Sequence, residues 1–277
     1  MKVICIQTNP DSNLKSNIRK IELQLQNIEK DSSGTGVVVL PEVFAVMGSD
    51  ELRKESASAL GEGIFKTAAE WARKLGYYVV AGSHAESAEG QNKVFNTATA
   101  FDPHGKLINV YRKIHLFNLR DAEGLPLYCE SDVFLQGEDT STFSIENQTE
   151  TWKCMTIVCY DLRFPEIVRR EISRSGSIDI LFVPAAFTHQ TGKDHWEVLL
   201  RARAIENQCY VVACNQTGYH SEGRKRNWGH SMVVDPWGQI VSSADEGEGI
   251  ISTKIAKEAI QSSRIRIPSL TDRVFTN

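Results

Sequence analysis

Residues 36–44 read GVVVLPEVF: three valines and a leucine in unbroken succession, a proline, and a glutamate directly behind it. Such a run leaves no position for a solvent-facing polar side chain, so it predicts a short strand covered on both faces. Pro41 has no N–H to give to a ladder and stops the strand, which puts Glu42 just past a strand end. Upstream, VICIQ (3–7) reads as another strand, and Ile18, Ile21, Leu25 and Ile28 then recur at helical spacing. Downstream come a helix over 64–75, strands in YYVVAGS (77–83) and FNTATAFD (95–102), a turn at PHG (103–105), and KLINVYRKIHLF (106–117). The second half repeats the rhythm: CMTIVCY (154–160), a helix opening with Pro165, DILFVP (179–184), a helix over 194–207, CYVVACNQ (209–216) and HSMVVDPWGQIV (230–241). Strands alternating with helices predict an α/β fold in which helices cover the sheets, built as one domain over 1–277. The tail from about Arg264 has little periodicity and reads as an extended arm, packed on the surface or on a partner subunit.

The chain has 277 residues, 41% of them hydrophobic, enough for one substantial core. A net charge of -4, with Lys and Arg scattered along the chain, gives no footprint for nucleic acid or for a membrane surface, so a small-molecule ligand is expected. The opening MKVICIQTNPDSN fits neither a signal peptide nor a membrane span and predicts a cytoplasmic protein. In that reducing compartment the six cysteines are expected to be free thiols.

Cys159 differs from the other cysteines in its surroundings. It ends an apolar run, precedes a helix N-terminus marked by Pro165, and is followed by Tyr160, Asp161 and Arg163. A catalytic thiol needs a base or a positive field nearby, and this context offers both, although a packed core cysteine fits the same local sequence. Cys5, Cys154, Cys209 and Cys214 lie inside apparent strands and read as core. Glu42 is placed to act as a general base, Lys113 to meet a developing oxyanion, and Glu130, in YCESD, to hold Lys113 charged. Each of these also fits an ordinary surface residue when taken alone. No C-x-x-C, H-E-x-x-H, G-x-G-x-x-G or Walker A pattern occurs, so neither a metal nor a nucleotide cofactor is expected.

Taken in order, VVVLPEVF, YRKIHLF, YCES and IVCYDLRFPE resemble the signature of the nitrilase superfamily of carbon-nitrogen hydrolases, and the resemblance runs over nearly the whole chain. It implies a four-layer α-β-β-α sandwich and a homodimer or higher homo-oligomer that stacks through helices. It implies a Glu42-Lys113-Cys159 triad, with Glu130 as an accessory glutamate and the backbone N–H of Tyr160 as an oxyanion donor. The segment PAAFTHQTGKDHWEVLLRARAIENQCYVVACNQTGYH, with WGHSMVVDPWG, is similar to the branch that contains deaminated-glutathione amidases and omega-amidases. Asn118 departs from the aspartate usual after KIHLF.

The implied function is cofactor-independent hydrolysis of a small carboxylate-bearing amide to acid and ammonia through a cysteine thioester. Arg163, with Thr188 and Thr191, is the candidate binder of the substrate's carboxylate, and a helix-anchoring salt bridge is the competing role for Arg163. The same triad would serve an omega-amidase of 2-oxo acid amides, a nitrilase or an N-carbamoyl hydrolase. A non-catalytic metabolite-binding protein, in which Cys159 only packs, is the reading from a different class.

Overall fold

The structure, a computed structural model, describes residues 1–29, 35–147, 149–220 and 223–275. Two sheets lie face to face. The first runs in the order Gly249–Lys254, Lys2–Gln7, Gly36–Val39, Tyr78–Ser87, Val94–Phe101, Leu107–Arg112, with Phe134–Leu135 paired beside Val94–Phe101. The second runs Ile240–Ser243, Met232–Val234, Tyr210–Asn215, Ile180–Ala185, Thr151–Thr156, Thr142–Glu146. Parallel pairs occupy the middle of each sheet and antiparallel pairs the edges.

Strand periodicity explains the layering. Val3, Cys5, Val37 and Val39 point between the sheets and pack with Trp152, Cys154, Phe182, Val212 and Cys214 of the other sheet. Their alternates Ile4, Ile6, Val38 and Leu40 face outward onto helices Leu14–Gln26 and Gly63–Leu75, through Ile21, Leu25, Phe65 and Trp71. On the far side, Met155, Leu181, Val183 and Val211 meet helices Pro165–Ser175 and Glu197–Asn207 through Val168, Ile172, Leu200 and Ala204. Both faces of the central strands are therefore dry, which is why GVVVL has no polar position. The result is the helix-sheet-sheet-helix order expected from the sequence.

Local chemistry sets the helix ends. The Asn13 side chain accepts from Ser16 N–H at the start of Leu14–Gln26, and Gly76, at φ 66°, closes Gly63–Leu75.

Several boundaries differ from expectation. The strand beginning at 151 stops at Thr156, three residues before Cys159, because Val158 N–H turns to the Asp161 carboxylate. The 106–117 segment is a strand only over Leu107–Arg112, and the helix expected over 194–207 opens with a wide π turn, Gly192–Trp196. The hairpins Asn118–Arg120 with Pro126–Cys129 and Thr217–His220 with Lys225–Trp228 carry no strong apolar alternation and were not expected. At the other end, a helix spans Lys257–Arg266 and so takes in the first residues of the expected arm, whose last two residues lie outside the described ones. Among the described residues no helix is long and apolar enough to cross a membrane.

Candidate active site

Glu42, Lys113 and Cys159 each follow the carboxyl end of a strand, in the first sheet for the first two and in the second for Cys159. All three ends open on the same side of the sandwich. Glu42 is fixed from several directions. Ser83 N–H donates to Pro41 O (3.3 Å), the Ser83 hydroxyl accepts from Val43 N–H (3.0 Å), and the Gln216 amide donates to Glu42 O (2.6 Å). Val43 has φ 48°, a left-handed conformation that a β-branched residue seldom adopts, so this short segment is held against its own preference. The irregularity in strand Tyr78–Ser87 between Ala81 and His84 makes room for it: a Cβ on Gly82 would stand 1.8 Å from Pro41 O.

The Lys113 ammonium donates to Glu42 Oε1 (2.8 Å) and to Glu130 Oε1 and Oε2 (3.0 and 2.8 Å). Asn96, buried in strand Val94–Phe101, donates from one amide nitrogen to both carboxylates, 2.9 Å to Glu42 and 3.1 Å to Glu130. Phe117 N–H closes on Glu130 Oε2 at 2.6 Å, and Ala186 N–H, just past strand Ile180–Ala185, closes on Glu42 Oε2 at 2.9 Å.

Cys159 opens a 3-10 turn, Cys159–Arg163, and itself has φ 48°. The turn is stapled by Asp161, a fully buried carboxylate. Its oxygens accept from Val158 N–H (2.9 Å), Tyr111 O–H (2.6 Å), His115 N–H (2.9 Å) and His115 Nδ1 (2.8 Å). Tyr111 and His115 bracket Lys113 in the chain, so one side chain ties the nucleophile's turn to the segment that carries the ammonium.

The charges follow from this packing. Burial by itself would raise the Glu42 carboxyl; the Lys113 ammonium, with hydrogen bonds from Lys113, the Cys159 thiol and Ala186 N–H, outweighs burial and holds it below the usual carboxylate range. Burial works against a charged Lys113 too, but the charges of Glu130 and Glu42 keep its pKa well above the ordinary lysine value. For Cys159, burial and the Glu42 charge push the thiol well up, only partly offset by Lys113 and by Ala186 N–H. The resting site is thus a neutral thiol hydrogen-bonded to an ionised carboxylate. Helix Pro165–Ser175 starts six residues on, and after burial the charges that bear most on the Cys159 thiol are those of Glu42 and Lys113.

The group opens onto a cleft of about 1480 Å³ lined by Glu42, Lys113, Glu130, Cys159 and, further out, both unexpected hairpins. Tyr160 lies one residue into the turn, its ring meeting the edges of Phe117 and Phe164 at 5.1 and 5.2 Å. Thr188 lines the cleft, and its hydroxyl is engaged with that of Thr191 at 2.9 Å. Arg163 is not brought into the cleft lining. Its guanidinium is seated over the Phe187 ring at 5.2 Å, with Nη1 3.3 Å from His195 Nδ1. Nor does any carboxylate among the described residues form a salt bridge with it. Asn118 bonds Ser131, N–H and hydroxyl, at 3.3 and 3.2 Å, joining the first hairpin's base to the Glu130 turn. Sequence reasoning missed Asn96, Ser83, Asp161 and Ala186. Only Asn96 carried a local signal, a carboxamide in a strand whose other polar residues are the threonines Thr97 and Thr99. Among the described residues no group of three or more His, Cys, Asp or Glu is placed to hold a metal ion.

A model of the carbon-nitrogen hydrolase family matches residues 2–265. The deaminated glutathione amidase of Synechocystis sp. (strain PCC 6803 / GT-S) is 38% identical over 271 residues, which cover 98% of this chain and 97% of that one. The omega-amidase NIT3 of Saccharomyces cerevisiae is 34% identical, with 99% and 94% covered. The crystal structure of Saccharomyces cerevisiae Nit3, described as a member of branch 10 of the nitrilase superfamily, superposes with a TM-score of 0.83 at 31% identity and covers 99% of this chain and 97% of that one.

Proposed function

This chain belongs to the carbon-nitrogen hydrolase family, and from that premise we propose that it is an amidase that cleaves the C–N bond of a small carboxylate-bearing amide of the deaminated-glutathione kind, freeing the amine, through a thioester on Cys159. The observation that carries the reading is geometric: the buried Lys113 ammonium donates to both Glu42 and Glu130 at the floor of the cleft that Cys159 also lines. Glu42 takes the thiol proton as sulfur adds to the amide carbonyl. The Lys113 ammonium and Tyr160 N–H meet the oxyanion. Glu42 then returns the proton to the leaving nitrogen, which departs as the free amine, or as ammonia from a primary amide, and the acyl group remains on sulfur. A water that gives its proton to the same carboxylate splits the thioester, and the proton goes back to sulfur as the acid leaves. Every proton is accounted for by Glu42, Cys159 and water.

The cleft supports a substrate longer than a simple dicarboxylate monoamide. Its volume of about 1480 Å³ exceeds the roughly 300–1,000 Å³ of ordinary ligand sites. A second reading, an omega-amidase of 2-oxo acid amides, is favoured by the similarity to the yeast omega-amidase and uses the same steps. We place the enzyme in the cytoplasm, in keeping with its six free cysteines. We also propose a homodimer, because helix Glu197–Asn207 leaves Val198 and Ile205 exposed on its outer face, with Val241 likewise exposed on a neighbouring strand.

The test is release of cysteinylglycine from deaminated glutathione and of ammonia from short omega-amides, with mass analysis of the quenched enzyme. The expected result is turnover by the native chain, an acyl adduct on Cys159, and neither with Cys159→Ala. Equal, negligible release from both proteins, with no adduct, refutes the amidase reading.

A further inference from the structure

The cleft holds a cation that this chemistry leaves idle. Arg53, on the short charged helix Asp50–Glu55, turns its guanidinium into the cleft wall. Among the described residues, Nη1 donates to the Tyr128 hydroxyl (2.6 Å), Nη2 reaches only the Met47 sulfur (3.4 Å), and Nε is buried with no partner. Among the described residues no carboxylate forms a salt bridge with it; Asp50 and Glu130 act on it from a distance, and Glu130 is already engaged by Lys113.

A second cation converges on the same ring. The Lys225 ammonium lies 4.9 Å from the Tyr128 ring centroid, and the Arg53 guanidinium carbon lies 6.0 Å from it. Both positive charges also bear on His220, in the same wall, which burial and these two neighbours depress to about 4, so it adds no third charge at neutral pH. Glu130 and Lys113 act in turn on Tyr128, which puts this basic corner beside the catalytic group.

A hydroxyl and a thioether are weak counterparts for a largely buried guanidinium, whose planar fork matches a carboxylate. A carboxylate entering here would supply the charged partner that the Arg53 guanidinium lacks among the described residues, with the Lys225 ammonium on the other side of Tyr128. We propose that Arg53, with Lys225 across Tyr128, is the clamp for the carboxylate that the substrate carries beyond its scissile amide. The assignment rests on the amidase reading above. It transfers to Arg53 the role that the sequence suggested for Arg163, whose guanidinium sits on Phe187 outside the cleft lining.

The test compares kcat/KM for glutaramate, which has a distal carboxylate, with that for butyramide, which has none. In Arg53→Gln the glutaramate-to-butyramide ratio is expected to fall by about ten- to a hundredfold, the range for losing a hydrogen-bonded charge partner, through KM rather than kcat. Lys225→Gln, at the exposed rim, should lower the ratio by about threefold and serves in place of Arg53→Gln if that variant does not fold. An unchanged ratio in both overturns the clamp. A binding arm keeps the two readings separable: titration of the inert diacid glutarate into Cys159→Ala, with and without Arg53→Gln. If the native chain hydrolyses neither amide, the amidase reading fails and the glutarate arm alone decides. Weaker glutarate binding in the double variant upholds the clamp, and equal binding overturns it.

Discussion

Replacing Lys113 with methionine keeps the length of the side chain and removes the ammonium that faces both Glu42 and Glu130. Each contact is 2.8 Å, worth about 6 kcal/mol by Coulomb's law at an effective dielectric constant near 20, against which stands the cost of burying the three charges. Breaking such a group by removing one partner typically costs about 3–5 kcal/mol, because the remaining charges stay buried and unpaired. The pH dependence carries the argument further. In the native protein Glu42 is held below the usual carboxylate range, so its contribution to stability is present above that range and is lost as pH falls through the lowered value. In Lys113→Met, burial, the largest influence, is opposed by hydrogen bonds but no longer by a charge, and Glu130 is a neighbouring like charge, so Glu42 should sit above the usual range. The variant then loses stability as pH rises through the raised value, the opposite slope. Urea unfolding followed by circular dichroism should therefore show a deficit of about 3–5 kcal/mol at about pH 7.5 and a clearly smaller one at about pH 5. Loss of the oxyanion donor should also lower kcat by about a hundred- to a thousandfold. Equal deficits at the two pH values, or a kcat within tenfold of native, would refute the reasoning.

Gly82→Ala should cost about 2–3 kcal/mol and lower kcat, because its Cβ meets Pro41 O at 1.8 Å and must shift the Glu42 segment. Gly76→Ala is the control: it also has positive φ, with nothing within 4 Å, and should leave kcat alone; like behaviour of the two variants in unfolding and turnover would sink the packing argument. For the dimer, sedimentation equilibrium should return two chains for the native protein and one for Val198→Glu combined with Ile205→Glu, and a native monomer would remove that proposal.

Glu42, Lys113, Glu130 and Cys159 each carry a local sign, a proline behind three valines, a lysine among aromatics, an acid in a turn, a thiol at the end of an apolar run, but each sign alone also fits an ordinary residue, and the resemblance of the four motifs in order singled them out. Among their neighbours only Asn96 had one. Ala186 contributes a backbone N–H that any residue would supply, and its partner is 144 positions away in the chain. Asp161 stood in plain sight beside Cys159, but its work is to receive Tyr111 and His115 from another sheet, which no local spacing reveals. Arg53 sits in DELRKE, whose charges read as a solvated helix face; only the fold turns this one side chain inward. The layered architecture was legible for the opposite reason. Continuous apolar runs and Pro or Gly punctuation are local, whereas the edge strand Gly249–Lys254 and the two hairpins are fixed by what they pair with.

The attachment of Glu42 to the second sheet has a kinetic meaning. Its carboxylate takes Ala186 N–H and its carbonyl takes the Gln216 amide, partners 144 and 174 residues further along the chain. Contacts of such long sequence separation close large loops and form late in folding. Strands Lys2–Gln7 to Leu107–Arg112 of the first sheet follow one another closely in the chain and can pair before Glu42 gains these two partners. On dilution from urea, recovery of turnover is then a clock for the docking of one sheet onto the other and lags the far-ultraviolet signal of the strands themselves.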